Sequence, residues 1–467
     1  MKRSLTGGLL FMASWLATTS AGAFGAEFRL GTAVEEITPP KGWRMAGYFS
    51  ERFNTGTRKP LLAKALVMRQ GDCAAVFVFC DLIGTPSFVT GPAKERIERE
   101  TGIASDGICI AATHVHTGPL YFGPVRDEFH RRAVARQGED PHESLDYVSF
   151  LVERIACAVN KADAALKTAD VASAVVPAPE LSFNRRWHMK NGPVRTNPGM
   201  KNPGMDRPAG PVDPNAEFVL FRASDGQPFA SLGVFTTHTD TVGGKEYDGD
   251  YPAVIAERLR EKWGADFCSG FGLGACGDIN HCDFAAGKRL ETRLIGTNLA
   301  AGCIRELEYR EPEPPRLAVA SAVVDAGVRE YRSQIAWAKE TMSHVGKRPI
   351  STSDRALARV ILDLADRDSD RLPMTIRAIR LSDRAAVIAT PGQMFVELGL
   401  EIKRRSPFPV TLIYNLTDDV IGYIPTRKGH EEGSYEVINS RIAPGTGEMM
   451  AEKAVALLQR LHLGSPD

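Results

Sequence analysis

The chain has 467 residues, with 57 Lys and Arg balanced by 57 Asp and Glu. That length is about three times a common domain, so core volume is not limiting, although large single-core enzymes reach it too. With no net charge, bulk electrostatic steering toward nucleic acid or an anionic membrane surface is excluded.

The N-terminus joins a basic start (Lys2, Arg3), an apolar middle from Leu9 to Ala17 and a small-residue end, Ala21-Gly22-Ala23. This pattern predicts a signal peptide over residues 1–23, with export and a mature catalytic domain over 24–467. No later run reaches the ~20 apolar residues that a membrane-spanning helix needs. Eight cysteines and no CxxC pair argue against a thiolate zinc site. Export permits disulfides; Cys268, Cys276 and Cys282 are their expected source, with the pairing open.

Residues 62–81 read as two strands joined at Gln70-Gly71-Asp72. Helical spacing predicts helices over 92–100, closed by Gly102, and over 145–166. Residues 177–215, rich in Pro, Gly, Asn and Arg, read as a long ordered loop or lid. A strand is predicted at 231–238, and helices at 252–263, 290–308 and 446–461. Residues 312–370 combine a Pro-rich start, a strand and two helical patterns, the outline of a subdomain. Interleaved strands and helices make this a mixed α/β chain.

The stretch "CIAATHVHTGP" ends an apolar strand with His114 and His116. An extended backbone would put both imidazoles on one face, which suits a metal site or an acid/base pair. Equally, they are two polar residues bonded to loops at a strand exit. His238 also follows an apolar run, and neutral imidazole is a common zinc ligand; the alternative is a hydrogen-bonded structural residue. Asp81 can orient a ligand imidazole or cap a turn. Arg185 can hold a developing oxyanion or lie solvated at the surface. Small residues around Asp278, in "GACGDINHC", permit close approach of backbone to a ligand. Asp278, and Asn184 at the head of the Pro/Gly-rich loop, are the expected substrate contacts. Tyr423 and Tyr435 lie in a polar, glycine-containing stretch. A nucleophilic serine is not supported, since no G-x-S-x-G occurs and Ser182 has no identifiable base.

Taken in order, "THVHTGP", "FNRR", "FTTH", "GACGDIN", "TPGQMFVELG" and "IGYIPTRKGHEEGSYE" resemble the catalytic domain of the neutral/alkaline (non-lysosomal) ceramidases, over residues 31–461. The resemblance implies β-sheets covered by helices and a secreted zinc amidase that releases fatty acid and an amine from ceramide or a related N-acyl lipid. It implies that His114, His238 and Tyr423 bind zinc, that His116 is the catalytic histidine, and that Arg185 and Tyr435 stabilise the transition state. The family's remaining ligand is a glutamate, and Gln393 stands in its place. Glutamine offers a carbonyl oxygen without charge. If residues 393–405 form a helix, Glu397 lies one turn on and can supply the carboxylate. The family continues into a C-terminal immunoglobulin-like domain, which this chain is expected to lack. Two other functions remain open: a metal hydrolase of the same fold acting on another amide or ester, and a binding protein with an eroded metal site.

Overall fold

The structure, a computed structural model, describes residues 19–21 and 25–464. The predicted signal peptide lies outside the described residues apart from Thr19–Ala21, a short strand. Strand β1 (Phe28–Glu36) precedes a hairpin of β2 (Leu62–Gln70) and β3 (Cys73–Cys80), turned at Gly71, whose φ is 57°. Apolar side chains run without a break from Ala65 to Met68 in β2 and along the whole of β3 instead of alternating with polar ones, the pattern of strands buried on both faces. Leu66, Met68, Phe77 and Phe79 enter one core, while Ala65, Val67, Val76 and Val78 enter another. Such a sheet needs a layer on each side, and the rest of the chain supplies both.

Strands β4 (Ile108–Ala112), β5 (Lys167–Pro177), β6 (Asn215–Ala223), β7 (Pro228–Phe235) and β8 (Cys268–Leu273) complete an eight-stranded sheet. Its order is β8-β7-β6-β5-β1-β2-β3-β4, parallel at β8-β7 and β3-β4 and antiparallel elsewhere. A second sheet runs Thr19–Ala21, β9 (Pro315–Gly327), β10 (Arg371–Ser382), β11 (Ala385–Ala389) and β12 (Val410–Tyr414). Between the sheets the ring of Tyr414 meets Phe77 and Phe79 edge-on, with centroids 5.8 and 5.1 Å away, a favoured aromatic geometry.

Helix α1 (Ser87–Thr101) lies between β3 and β4 in the chain, α2 (Gly123–Gln137) and α3 (Tyr147–Ala164) follow β4, and α1 and α3 cover the outer face of β1 to β4. Helices α4 (Asp250–Trp263) and α5 (Thr292–Leu307) cover β5 to β8. Helices α6 (Ile335–Ser343) and α7 (Thr352–Ala365) enclose a small cluster of their own. Helices α8 (Val396–Arg405), α9 (Arg427–Glu432), α10 (Tyr435–Ile438) and α11 (Thr446–Leu463) end the chain, with α8 and α11 on the second sheet. The mixed α/β expectation of sheets covered by helices therefore holds. No helix among the described residues is long and apolar enough to cross a membrane.

Several local expectations need correction. Helix α1 begins at Ser87, so Pro92 lies inside it, and Gly102 closes it with a left-handed φ of 72°. The charged helix α2 carries too little apolar periodicity to be seen in sequence. Residues 177–215 are not a plain loop: Arg186–Met189 pairs with Val194–Thr196 and Met205–Pro208, and Trp187 and Met189 pack on Cys282 and Phe284. The expected disulfides are absent: Cys268, Cys276 and Cys282 belong to three separate clusters, and no disulfide joins any of the eight cysteines, all of which are among the described residues. Helix α3 starts at a side-chain cap, Asp146 Oδ1 accepting from Ser149 N at 3.1 Å. Replacing Asp146 with alanine is expected to lower stability by about 1 kcal/mol, read as a shift in the urea midpoint at unchanged m-value.

Candidate functional site

Strand β4 stops at Ala112, where Thr113 turns back on β3, its N–H bonded to Cys80 O at 2.9 Å. His114 then takes a left-handed φ of 63°, uncommon for a residue with a side chain. The histidines therefore do not share a face of an extended strand, as the spacing suggested. The kink at His114 brings the two rings together instead, Nε2 to Nε2 at 3.4 Å. Gly47, at φ 95°, lets a neighbouring loop lie against them, since a Cβ there would fall 2.6 Å from His116 Cβ. His238 lies three residues beyond β7, and its ring centroid is 5.0 Å from that of His114. Two bonds stitch the segments: Thr239 Oγ1 donates to Thr113 O at 2.7 Å, and His116 N to Thr239 O at 3.3 Å.

The imidazoles are chemically prepared. His114 Nδ1 is 2.7 Å from Ile83 O and His238 Nδ1 is 2.9 Å from Ile279 O. A carbonyl only accepts, so each Nδ1 carries the proton and each Nε2 presents a lone pair, the second-layer arrangement typical of ligand histidines. Asp81 does not take that part. Its carboxylate accepts from Leu62 N and Thr113 Oγ1, both at 3.1 Å, and so fixes strand ends. Burial, with the neighbouring His116, pushes His114 down to about 3, and burial with Arg185 takes His116 to about 3. His238 is pushed well down by the same burial and by Arg185.

Free imidazoles titrate near 6.5. A folded value below that makes a contribution to stability that is complete above about pH 6.5 and is lost as pH falls toward 3. Asp278 works in the opposite sense, since burial raises it to about 6 and its contribution is lost as pH rises through that value. The three imidazoles are expected to keep their neutral-form NMR shifts from pH 8 to pH 4. A titration near 6.5 at any of them would contradict this.

Arg185 leaves the short strand Phe183–Asn184, which pairs with Ile279–Asn280. Four of its five N–H donors are committed: Nε to Glu436 Oε1 at 2.8 Å, Nη2 to Gly277 O at 2.7 Å and Tyr423 Oη at 3.1 Å, and Nη1 to His238 Nε2 at 3.3 Å. Burial disfavours the charge, but Tyr423 and Glu436 outweigh it and hold the proton more tightly than usual. Tyr423 pairs backbone to backbone with Gln393, and its phenol is raised by burial against the pull of Arg185. Tyr435 opens α10, its ring centroid 5.7 Å from that of Tyr423.

Asn184 and Asp278, the expected substrate contacts, bond each other instead, Nδ2 to Oδ2 at 2.9 Å. Asp278 also accepts from Val396 N at 2.8 Å, and neither residue faces the cavity beside the histidines. Glu397 is likewise misplaced for the role expected of it. Gln393 and Met394 form a strand, α8 starts only at Val396, and the Glu397 carboxylate lies outside near Lys428. Gln393 itself is buried and its Oε1 has no hydrogen-bond partner.

The cavity measures about 270 Å³. His114, His116, Gln393, Tyr423 and Tyr435 line one side, and Phe49, Ile83, Leu120, Phe122 and Val420 give it apolar walls. Sequence reasoning missed Glu436, which is 0 % exposed and bonds Arg185, Arg186 and Thr196. It also missed Tyr48 and Asp240, bonded at 2.6 Å, with the Asp240 carboxylate 3.5 Å from His116 Nδ1. Their partners lie far off in the chain, so no spacing rule could find them.

The ligand nitrogens of His114, His116 and His238 lie within 4.8 Å of one another, a group that can hold a metal ion. The donor set fits one: lone pairs fixed by carbonyls, a phenol, and the unpaired amide oxygen of Gln393. A second group, His130, Asp140 and Glu143, is already neutralised by Arg44 and Arg126.

No protein-family model matches the chain, and no curated protein matches it by sequence. Solved structures do. Neutral ceramidase from Pseudomonas aeruginosa superposes with a TM-score of 0.69 at 15% identity, covering 95% of this chain and 76% of that one. A ceramidase complexed with C2 gives 0.68 at 14% identity, covering 94% and 76%. The fold expected from the motifs is thus the fold observed.

Proposed function

We propose that this chain, with the fold of a neutral ceramidase, is a zinc-dependent hydrolase of N-acyl amides, cleaving ceramide or a related lipid to fatty acid and amine. The observation that carries it is the meeting of His114, His116 and Tyr423, which line an apolar cavity, with His238 and Arg185 directly behind them. His114, His238, Tyr423 and Gln393 would hold the metal. Zinc there supplies Lewis acidity, activating water near neutral pH and polarising the amide carbonyl. The apolar walls take the acyl chain and exclude bulk water. His116 accepts a proton from the attacking water and returns it to the departing nitrogen. Arg185 and Tyr435 hold the negative charge that develops on the carbonyl oxygen. The C–N bond breaks, hydroxyl stays on the acyl carbon, and the proton leaves with the amine. The enzyme would act outside the cytoplasm once residues 1–23 are removed.

Gln393 favours one variant of this reading, hydrolysis of an amide or ester other than ceramide, because the centre carries one negative charge fewer than the family pattern. Zinc stoichiometry and fatty-acid release from an N-acyl lipid panel test the proposal. About one zinc per chain, lost with activity in His238→Ala, is the expected result. A metal-free, inactive protein after zinc supplementation would overturn it and leave a binding protein.

A further inference from the structure

The cavity beside the histidines carries fixed charge of one sign. Among the described residues no Asp or Glu lines it, whereas Arg359 and Arg441 both do. Arg359, on α7, is 6 % exposed. Its Nη2 is paired with Glu128, but Nε and Nη1 are buried without a hydrogen-bond partner among the described residues. Buried donors left unpaired are costly, and charged ones more so. The Glu128 carboxylate is shared with Arg355, so two guanidiniums face one acid.

Arg441 is held at Nε by Asp363 at 2.6 Å. Its Nη1 lies against Gly422, where a Cβ would come within 3.2 Å of it. Gly422 directly precedes Tyr423, so this cation stands close to the reacting centre. Gln393, in turn, adds no negative charge there. A neutral sphingoid headgroup would leave these donors unanswered.

We infer that the protein acts on N-acyl amino acids, lipid amides whose amine half carries a carboxylate beside the scissile bond, an inference that rests on the amide-hydrolase reading above. Arg441 and Arg359 receive the carboxylate, and the walls formed by Phe49, Leu120 and Phe122 receive the acyl chain. Hydrolysis adds hydroxyl to the acyl carbon and a proton to nitrogen, releasing a fatty acid and a free amino acid.

The test compares N-dodecanoylglycine with N-dodecanoylethanolamine, which has the same chain and a neutral head, using the full chain supplied with zinc. The readout is the ratio of kcat/KM, or of Kd by calorimetry where neither is turned over. A preference of at least about ten-fold for the glycine conjugate is expected, the scale of one hydrogen bond to a charged group. It should shrink with added salt and fall toward one in Arg441→Gln and Arg359→Gln. Arg359→Lys, which keeps the charge, covers the case in which Arg359→Gln does not fold. Equal or better handling of the neutral amide, or a preference that survives both variants, overturns the inference. Selective binding of the glycine conjugate without any hydrolysis would uphold the carboxylate subsite at Arg441 and Arg359 and overturn the hydrolase reading on which turnover of these amides rests.

Discussion

Arg185→Gln is expected to slow amide hydrolysis by roughly 10²–10³-fold, the usual effect of losing one donor to a developing oxyanion. It should also lower stability by about 3 kcal/mol, the lower end for breaking a buried ion pair. The two losses have separate causes. The catalytic one comes from the guanidinium edge beside Tyr423 and His238. The structural one comes from Glu436, which is 0 % exposed and would keep only Arg186 as a charged partner. Urea unfolding and single-turnover kinetics read them apart. In Glu436→Gln the same stability is lost, and the double variant should fall well short of the sum, because the two groups form one network. Full additivity would mean that the pair does not act as a unit.

Gln393→Glu is expected to tighten zinc binding by at least about ten-fold, the scale on which even an outer partner of a ligand moves metal affinity. Without metal the same change should destabilise the fold, since it buries a carboxylate where Oε1 now has no partner. The stabilisation on adding zinc, read as a shift in Tm, should therefore be larger in the variant than in the natural chain. Equal shifts would place Gln393 outside the metal site.

The layers were legible because the signal in β2, β3 and β4 is strong: apolar residues on both faces, closed by Gly71 or a polar exit. Helices α3, α4 and α11 announced themselves by their apolar stripes. Helix α2 did not, because six of its fifteen residues are charged and only Glu128, Phe129 and Ala133 are buried. The site was legible to the extent that chemistry is carried by residue type, as with His114, His116, His238 and Arg185. Its wiring was not. Extended geometry failed at His114 because a left-handed φ replaced the strand, and the helix expected to aim Glu397 starts three residues too late. Asp278 looked like a ligand contact because small residues surround it, yet Gly277 admits the backbone of Gln393 and Met394, and Asp278 itself caps Val396 N.

The order of the large sheet has one last consequence. Strands β4 and β7 are six steps apart, which in a flat sheet would separate them by roughly 29 Å. The His114 and His238 rings are nevertheless 5.0 Å apart, and β8 touches β2, β3 and β4. The sheet has rolled until its two margins almost meet, and the histidines sit on the seam. A metal held there would act as a clasp, and its affinity would report how tightly the roll is closed. Substitutions deep between the sheets, far from any ligand, should then loosen the metal by letting the seam open.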